Sequence, residues 1–580
     1  MQRIAFPHQH KRIQQSHITY HGSRIPHLLV VLLCLYFAAL PSIAGTQTKT
    51  VADGVTLIQN INTDPTSPIV ISILKVNLKT PGVKVITAFA GDTIIEDNPT
   101  KGREKVSSIV ARTGAVAGVN ADFFPFTGDP LGLSIMGGEL VSEPMDRAAI
   151  GITDSGEVIC DRMSFSGTIT ASSGETFPLR GLNRQRGKNE LVLYTPIFGA
   201  TTGATEGVEL ALELAGPIKV NTDIEATVSS DPLTLGSCSA IPTSGAILSA
   251  QGTAADWIMA NIHNGDKIKL RFDIKGTSDE SWDKVVQAVG GGSMLVRGGE
   301  IFTDPADEGF KPDFYLNRHP RTAAGVTSSG ELLLVTVDGR QYFSQGMTIA
   351  ELAQLMKDLG AVDAINLDGG GSTSLSIRGA VVNSPSEGTE RPVANMLIVQ
   401  ANQPEAASGI KFTDANPFTI PSGPGRLMPL AYADKDEPIN DADSANVVWG
   451  TTGGVGFVNQ SGYFIPVKAG KGLLIAFYSG KKSELPVIVI PGAVANIDAK
   501  ITADPSGTPN LGQVVVKLTD SNGNAVPNTV VKISVTGGQA DSESAMTDDK
   551  GMATFNMTWD TTASDATITV STNGITATAK

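Results

Sequence analysis

The chain has 580 residues, of which 41% are hydrophobic and 18% are charged. At about 100 to 200 residues per domain, this length predicts roughly three or four domains. The 44 basic and 58 acidic residues give a formal net charge of −14, and neither sign forms a long run. This balance argues against binding a nucleic acid by neutralising its phosphates, so no nucleic-acid partner is expected.

The N-terminal residues predict an export signal. A polar, basic stretch precedes an apolar run from Leu28 to Leu40, and small residues follow up to Ala44. The run is shorter than the ~20 residues of a membrane span, and Ser42 and Ala44 form a small-x-small cleavage site. We therefore predict a signal peptide at residues 1–44 and a secreted protein, placed in the periplasm, at the cell surface or outside the cell. An uncleaved membrane anchor is the alternative.

The mature chain contains few histidines and cysteines, namely His263, His319, Cys160 and Cys238. The usual zinc sites cannot be built from so small a set. No G-x-S-x-G sequence accompanies either histidine, which argues against a serine hydrolase of that kind. Carboxylates must therefore carry any acid–base chemistry. Whether the two cysteines form a disulfide is left open by the sequence.

The first elements form a helix-then-strand unit. A buried strand is predicted over residues 69–78, and a helix over 103–112 ends at Gly114. The strand that follows, over 115–119, leads directly to Asp122. This unit therefore ends in a polar loop.

The same order of elements recurs further along the chain. Thr348 and Glu351 form a capping box, an apolar stripe follows, and Gly360 ends the helix. A strand over 361–367 then runs straight into the loop 368–373, Asp-Gly-Gly-Gly-Ser-Thr. A second helix-then-strand unit thus also ends in a polar loop.

These patterns define the predicted domains. Residues 45–401 are predicted to form an α+β catalytic domain, a mixed sheet with packed helices, in which residues 165–285 are an insertion or a subdomain. After a small, polar linker, short Val, Ile and Thr runs at sandwich-like spacing predict two all-β modules, at 402–490 and 491–580.

Both C-terminal modules resemble bacterial immunoglobulin-like modules. The second carries a D-x-x-G-x-A turn at 548–553 and an N-x-V-P motif at 524–527, and on these it is similar to the invasin/intimin type. The resemblance implies stalks, spacers or adhesive units that contact a cell-surface or extracellular polysaccharide. It implies no catalytic role.

The loop 368–373 carries the strongest chemical signal. Its three glycines let backbone N–H groups approach a ligand closely, and two hydroxyl side chains stand beside them. Such a loop favours an anion. It lacks the Gly-Lys-Ser/Thr ending of a nucleotide P-loop, so ATP is a poor candidate, and a plain glycine turn is the alternative interpretation.

Three other residues are candidates for the same chemistry. Arg321 supplies a fixed positive charge that can grip a phosphate through two parallel hydrogen bonds, with a solvated basic turn as the alternative. Asp338 ends a strand, and Asp122 precedes two phenylalanines that would raise its pKa by desolvation. A simple Asp-Gly turn and an aromatic core are the respective alternatives.

Five motifs occur in a fixed order along the chain. They are G-V-N-A-D-F-F at 118–124, G-G-G-S-M-L-V-R-G-G at 290–299, H-P-R-T-A-A-G at 319–325, V-D-G-R at 337–340 and I-N-L-D-G-G-G-S-T at 365–373. Together they resemble the phosphodiester glycosidase family over about residues 50–399. The resemblance implies hydrolysis of a sugar-1-phosphodiester at the glycosidic bond, giving free sugar and a phosphomonoester.

The residues can be assigned parts in that reaction. Asp368, Asp122 and Asp338 are the candidates to stabilise an oxocarbenium-like state, activate water or attack directly. The candidates that bind phosphate, bind sugar or orient the carboxylates are Arg321, Thr322, Asn120, Asn366, Gly369, Gly370, Gly371, Ser372 and Thr373. The scheme requires no metal and no other cofactor, and its partner is a glycosyl phosphodiester or phosphate-containing glycan.

Two alternatives stay open. A non-catalytic cell-surface glycan-binding protein or adhesin, which the immunoglobulin-like tail favours, would hold the same glycan without turning it over. A hydrolase that cuts the P–O bond instead of the glycosidic bond is the other.

Overall fold

The computed structural model describes residues 44–96, 100–125, 127–234, 238–402, 409–414, 416–432, 446–478, 480–503, 510–560 and 567–579. The predicted signal peptide, apart from its last residue, lies outside the described residues. The described residues belong to one compact unit that begins at Ile43.

The predicted α+β class with packed helices is wrong, because the chain is mostly β, with 49% strand and 8% helix. The α-helices among the described residues are α1 (Val106–Thr113), α2 (Thr253–Asn261), α3 (Pro312–Leu316) and α4 (Ile349–Asp358). Short 3₁₀ turns occupy Ala90–Asp92, Pro196–Phe198 and Gly370–Ser372. The two predicted helix-then-strand units exist, but the long Thr-, Val- and Ser-rich stretches between and after them form antiparallel sheet, which β-branched residues favour.

An eight-stranded antiparallel sheet, here called the site sheet, carries most of the predicted motifs. In spatial order its strands are Gly45–Ala52, Val55–Asn62, Ile69–Val76, Leu332–Val337, Arg321–Thr327, Ala361–Leu367, Met294–Arg297 and Glu300–Ile301. The register pairs Thr322 with Leu367 and Arg321 with Val337. Three motifs that lie far apart in sequence therefore meet at one end of adjacent strands. Helix α4 packs its apolar face on this sheet through Leu352 and Met356.

A thirteen-stranded sheet contains the region interpreted as an insertion. Along its main path the strands are Gly181–Leu182, Leu191–Tyr194, Ala246–Ala250, Val208–Leu214, Asp223–Val228, Lys267–Gly276, Val158–Thr170, Arg147–Thr153, Val285–Gly290, Ser134–Met136 and Glu139–Ser142. Thr176–Leu179 and Leu233–Thr234 pair beside that path. Residues 165–285 share an apolar core with Leu133, Ile135 and Ala149, and the strand Lys267–Gly276 pairs with Met163 and Ser164, so they do not form a separate unit.

A nine-stranded sheet, here called the bridging sheet, crosses the predicted boundary at 401/402. Its strands are, in order, Phe418–Pro421, Lys481–Ile490, Gly470–Tyr478, Val448–Thr452, Ala380–Val381, Leu375–Ile377, Ala117–Asn120, Asn395–Gln400 and Lys84–Phe89. Val381 pairs with Thr451 across the boundary. Val448 and Phe477 pack into the same core as Leu375. The described strands between residues 418 and 490 are therefore continuous with residues 45–401 in both pairing and core.

The remaining described strands form four smaller sheets. Ile410–Phe412 pairs with Leu430–Tyr432, and Arg426–Leu427, Tyr463–Pro466 and Gly456–Val458 form a three-stranded sheet. The last module packs two four-stranded sheets around a core that includes Val516, Phe555 and Val570. Their strands are Asn496–Ala503, Leu511–Thr519, Met552–Trp559 and Gly538–Ala540 in one, and Ser544–Met546, Val530–Thr536, Thr567–Thr572 and Ile575–Ala579 in the other.

Two further findings concern predictions left open by the sequence. Cys160 is buried and Cys238 is exposed, and both are free thiols. None of the helices in the described ranges has the length and apolarity needed to cross a membrane.

Candidate functional site

Asn120 joins three segments of the site. It ends the buried strand Ala117–Asn120 of the bridging sheet. Its side-chain oxygen accepts hydrogen bonds from the Thr322 hydroxyl at 2.8 Å and from the Ser374 backbone N–H at 3.0 Å. Its side-chain nitrogen donates to the Asp368 carbonyl oxygen at 2.6 Å. The structure therefore brings Asn120, Thr322 and Asp368 together.

Asp122 is a carboxylate held in a closed pocket, with 2% of its surface exposed. One carboxylate oxygen accepts from the Phe123 N–H at 2.7 Å and the other from the Gly132 N–H at 2.6 Å. Glycine is required at Gly132 and Gly290, because an added Cβ would lie 2.9 Å and 2.7 Å from the same oxygen. Burial, followed by the negative charge of Asp368, raises the pKa of Asp122 to about 7 against the effect of its hydrogen bonds.

Asp368 is the more exposed residue of the two. It is half-buried, and its backbone N–H donates to the Ala121 carbonyl at 2.8 Å. Burial raises the pKa of its carboxyl to about 6, opposed by hydrogen bonds from Ser372 and Gly369 and by the charge of Arg391. Asp122 and Asp368 thus form a pair of neighbouring acids with raised pKa values, as catalytic carboxylates often do.

Asp338 does not join that pair. It is fully buried, and the Ser384 N–H donates to both of its carboxylate oxygens at 3.0 Å. The Asn383 side-chain nitrogen donates to it at 3.0 Å and to the Thr373 carbonyl at 3.2 Å. Burial raises the pKa of Asp338 to about 7. Asp338 therefore supports the backbone behind the loop 368–373, here called the glycine turn.

The Arg321 guanidinium is directed at backbone carbonyls. Its Nε donates to Met347 at 2.8 Å, and one Nη donates to Phe314 at 2.6 Å and to Asn317 at 3.1 Å. Only 1% of the residue is exposed, and burial lowers its pKa to about 10. These contacts anchor helix α3 to the site sheet, and a phosphate-binding role for Arg321 stays a prediction.

Two other arginines flank the glycine turn. Arg391 donates to the Ser372 hydroxyl at 3.4 Å and forms an ion pair with Glu387. A Cβ added to Gly370 would lie 3.3 Å from an Arg340 Nη, and the same nitrogen lies 3.1 Å from His319 Nδ1. Arg340 ends one of the five motifs, but no motif marked Arg391, so only the fold shows that it lies here.

Most backbone N–H groups of the glycine turn donate hydrogen bonds to other protein atoms. The Gly369 N–H donates to the Asp368 carboxylate at 2.8 Å, and the Gly370 N–H donates to the Pro320 carbonyl at 2.9 Å. The Ser372 and Thr373 N–H groups donate back into the turn, at 3.1 and 3.4 Å. Positive charge for an anion at this turn therefore comes from the arginine side chains more than from a cradle of amides.

Two predicted site residues keep buried oxygens without a hydrogen-bond partner. The Asn366 side-chain nitrogen donates to the carbonyls of Gly292 and Leu367, at 2.5 and 2.7 Å, while its oxygen has no partner. The Thr373 hydroxyl is likewise buried and unpaired. Such groups are rare in folded proteins.

An aromatic cluster borders Asp122. Phe310 stacks on Phe314 with ring centroids 4.3 Å apart, and Phe123 lies 5.4 Å from Phe310. Arg147 sits over the Phe310 ring at 4.3 Å. All three rings are half-buried, so they present an apolar face beside the acid pair.

The described part of the chain holds no group of three or more His, Cys, Asp and Glu side chains placed to bind a metal ion.

Comparison with known proteins adds independent findings. Residues 218–400 match the model of the phosphodiester glycosidase family. Residues 507–576 match the model of macroglobulin domain MG4. The second match agrees with an all-β module there, while the invasin type stays a prediction.

Two curated proteins and one solved structure are similar to the chain. The SPbeta prophage-derived uncharacterized protein YomE of Bacillus subtilis is 35% identical over 113 residues, covering 20% of this chain and 16% of that protein. The N-acetylglucosamine-1-phosphodiester alpha-N-acetylglucosaminidase of Mus musculus is 32% identical over 111 residues, covering 18% of this chain and 21% of the enzyme. A hypothetical protein from Synechocystis shares the fold, with a TM-score of 0.52 and 24% identity over 62% of this chain and 64% of that one.

The chain thus spans about a fifth of the length of these curated relatives. The segment that matches the family model contains Asp368, Arg340, Arg391 and four of the five ordered motifs. The resemblance inferred from the motifs is confirmed over residues 218–400, which match the model of the phosphodiester glycosidase family.

Proposed function

We propose that this chain hydrolyses the glycosidic bond of sugar-1-phosphodiesters and releases free sugar and a phosphomonoester. The observation that carries the proposal is the acid pair Asp122 and Asp368, whose pKa values are raised to about 7 and about 6, beside a turn flanked by two arginines. A pair of carboxyl groups with separated pKa values is what glycosidic hydrolysis needs. The family domain supports the reaction class.

On the sugar side, Asp368 is the group that faces the reacting carbon. It is the more exposed residue of the pair and the first to ionise. Its carboxylate either attacks C1 or takes a proton from the attacking water, and in both cases the water oxygen ends on C1. Asp122 stays protonated over a higher pH range, so that one proton is held beside the ionised carboxylate.

On the phosphate side, the bond between C1 and oxygen breaks and its electron pair stays on the phosphate oxygen. A phosphomonoester is already a good leaving group, so neutralising its new charge matters more than protonating it. Arg340 and Arg391 flank the turn where that charge would develop. Fixed cations in this position stabilise the transition state.

We infer the first substrate to test from a relative. The mouse protein is named as acting on an N-acetylglucosamine-1-phosphodiester, and the half-buried Phe123, Phe310 and Phe314 offer an apolar surface for a sugar ring. We also propose export through residues 1–44, which N-terminal sequencing of the protein from culture medium or periplasm would test by finding Gly45 as the first residue.

A turnover assay tests the function. The chain without residues 1–44 is incubated with N-acetylglucosamine-1-phospho-methyl ester and related glycosyl phosphodiesters, with and without chelator. We expect sugar release by the wild type and by the exposed control Asp358→Asn, and a loss of about 1,000-fold in Asp368→Asn. No release from any substrate by the wild type, together with retained glycan binding, would favour the glycan-binding alternative.

A further inference from the structure

A cavity lies next to the glycine turn, on the side that faces the C-terminal modules. It has a volume of about 600 Å³, within the range typical of small-ligand sites. Its walls come from the loop 384–390, from Thr451 of the bridging sheet and Lys468 just before the strand Gly470–Tyr478, and from the loop 521–524 of the last module. Three parts of the chain that were predicted as separate domains thus enclose one space.

The cavity carries unbalanced positive charge. Lys105, Arg340 and Lys468 line it, and within the described ranges none of the three forms an ion pair with a carboxylate. The three cations outnumber the two acids in its wall: Glu387 is balanced by Arg391, whereas Glu390 keeps its charge, because its hydrogen-bond donors are neutral. Glu387 pairs with Arg391, and Glu390 accepts from the Ser107 N–H at 3.0 Å and from the Ser374 hydroxyl at 2.8 Å.

The far wall is held in place by specific hydrogen bonds. The Asn524 side chain accepts from the Ala469 N–H at 2.8 Å and donates to the Val467 carbonyl at 2.8 Å. Asn522 donates to the Ser422 hydroxyl at 2.7 Å. All three partners belong to the neighbouring module, so the loop has a defined position over the cavity.

The cavity lies next to the proposed active site and shares Arg340 with it. Arg340 lines it and also lies beside Gly370, and Glu387 in its wall pairs with Arg391, which contacts Ser372. The Ser386 hydroxyl, also in the wall, donates to the Gly370 carbonyl at 3.5 Å. Side chains that border the glycine turn therefore also form the near wall of the cavity.

We propose that this cavity binds the anionic glycan chain attached through the scissile phosphodiester, so that the natural substrate is a phosphodiester-linked polyanionic glycan. This inference rests on the proposed function. The chain as a whole has a net charge of −14 and repels polyanions, so such a substrate requires a local group of unpaired cations. Lys105, Arg340 and Lys468 provide that group next to the position of the leaving phosphate.

The test compares a short and a long substrate in charge-reversal variants of the full mature chain. The short substrate is N-acetylglucosamine-1-phospho-methyl ester, and the long one is an oligomer of N-acetylglucosamine units joined by several phosphodiesters. Lys468→Glu is compared with Lys481→Glu, a change at an exposed lysine in the same module that does not line the cavity. The quantity measured is the KM for the oligomer divided by the KM for the ester.

We expect Lys468→Glu to raise this ratio about 5- to 10-fold and Lys481→Glu to leave it at the wild-type value, as for a charged group that selects its partner. Equal ratios in both variants would overturn the cavity proposal while turnover of the ester still supports the function. If neither substrate is hydrolysed, the proposed function is wrong. The cavity proposal is then tested separately by measuring the affinity of each variant for the oligomer by calorimetry. Weaker binding in Lys468→Glu alone supports the cavity, and equal binding in both variants rejects it.

Discussion

Asp122 and Asp368 lie together but differ in accessibility, and this difference assigns their parts. Asp122 is enclosed by backbone N–H donors and close-packed glycines, whereas Asp368 faces the glycine turn. Burial raises both pKa values, to about 7 and about 6. Around pH 6 to 7 the pair therefore holds one proton.

The first prediction concerns the pH dependence of kcat/KM. The rate should rise as pH increases through about 6, where Asp368 ionises, and fall above about 7, where Asp122 loses the remaining proton. A profile with the ester substrate from pH 4.5 to 9 measures both limbs. Asp122→Asn should remove the alkaline limb. A wild-type rate that stays level up to pH 9 would contradict the assignment.

The second prediction distinguishes the role of Arg321 in stability from the role of Arg391 in catalysis. Arg321 is buried and donates to three backbone carbonyls, so Arg321→Gln should lower the free energy of unfolding by about 2–4 kcal/mol. Arg391 lies beside the glycine turn, so Arg391→Gln should lower kcat/KM about 100-fold and change stability by less than about 0.5 kcal/mol. Denaturant unfolding and steady-state kinetics on both variants measure this. An Arg321→Gln protein of wild-type stability that cannot bind substrate would restore its phosphate-binding role.

At the scale of elements, the glycine turn is fixed by close backbone packing. A Cβ added to Gly369 would lie 2.7 Å from the Pro320 carbonyl oxygen, and Gly370 has a φ of +61°. Backbone cannot yield as a flexible side chain can, so this methyl group would move the turn away from the site sheet.

The third prediction follows from that contact. Gly369→Ala should reduce kcat/KM at least about 100-fold, because a displacement of ~1 Å misplaces Asp368 and the flanking arginines. Gly216→Ala is the control, since its added Cβ has no heavy atom within 4 Å and its φ is not positive. Kinetics on the ester substrate compare the two. Wild-type activity in Gly369→Ala would show that the turn does not position the catalytic groups.

Local signals in the sequence predicted individual elements well. Gly114 ends helix α1 in the left-handed conformation with φ +67°, and Thr348 and Glu351 form the predicted capping box of helix α4. Such caps depend on a few neighbouring residues, so the sequence shows them directly. Strand pairing depends on distant segments, which is why neither the thirteen-stranded sheet nor the place of Arg391 could be derived from local patterns.

The candidate site, too, was predictable from the sequence only where a local motif marked a residue. Asn120, Thr322 and Asp368 meet because each lies at the end of a strand that a motif marks: Asn120 is the last residue of its strand, Thr322 is the second residue of its strand, and Asp368 directly follows one. The actual partners of Arg321 and Asp338 depend on α3 and the loop 383–386, which no motif placed beside them. The surroundings of Arg321 and Asp338 could therefore be known only from the fold.

At the scale of the whole molecule, the bridging sheet joins residues 45–401 to the segment that follows them. Val381 pairs with Thr451, and the Gln460 N–H donates to the Gln59 side chain at 2.9 Å. Phe457 and Ile465 pack with Val70 of the site sheet. A boundary near residue 401, inferred from a polar linker, therefore separates segments that share a sheet and a core.

The fourth prediction concerns truncation. A chain of residues 45–401 should lack a cooperative unfolding transition, because it exposes the edge at Ala380–Val381 and the core that Val448 and Phe477 cover. A chain of residues 45–490 should unfold cooperatively. Thermal unfolding followed by circular dichroism compares the two. A soluble 45–401 chain as stable as 45–490 would show that the first module is dispensable for folding.

The most direct test of the central claim follows oxygen from labelled water during hydrolysis of N-acetylglucosamine-1-phospho-methyl ester. Cleavage of the glycosidic bond at Asp122 and Asp368 predicts that ¹⁸O appears on C1 of the released sugar and that methyl phosphate stays unlabelled. Mass spectrometry of both products measures this. Label in the phosphate would mean that the P–O bond is cut, and would contradict the account.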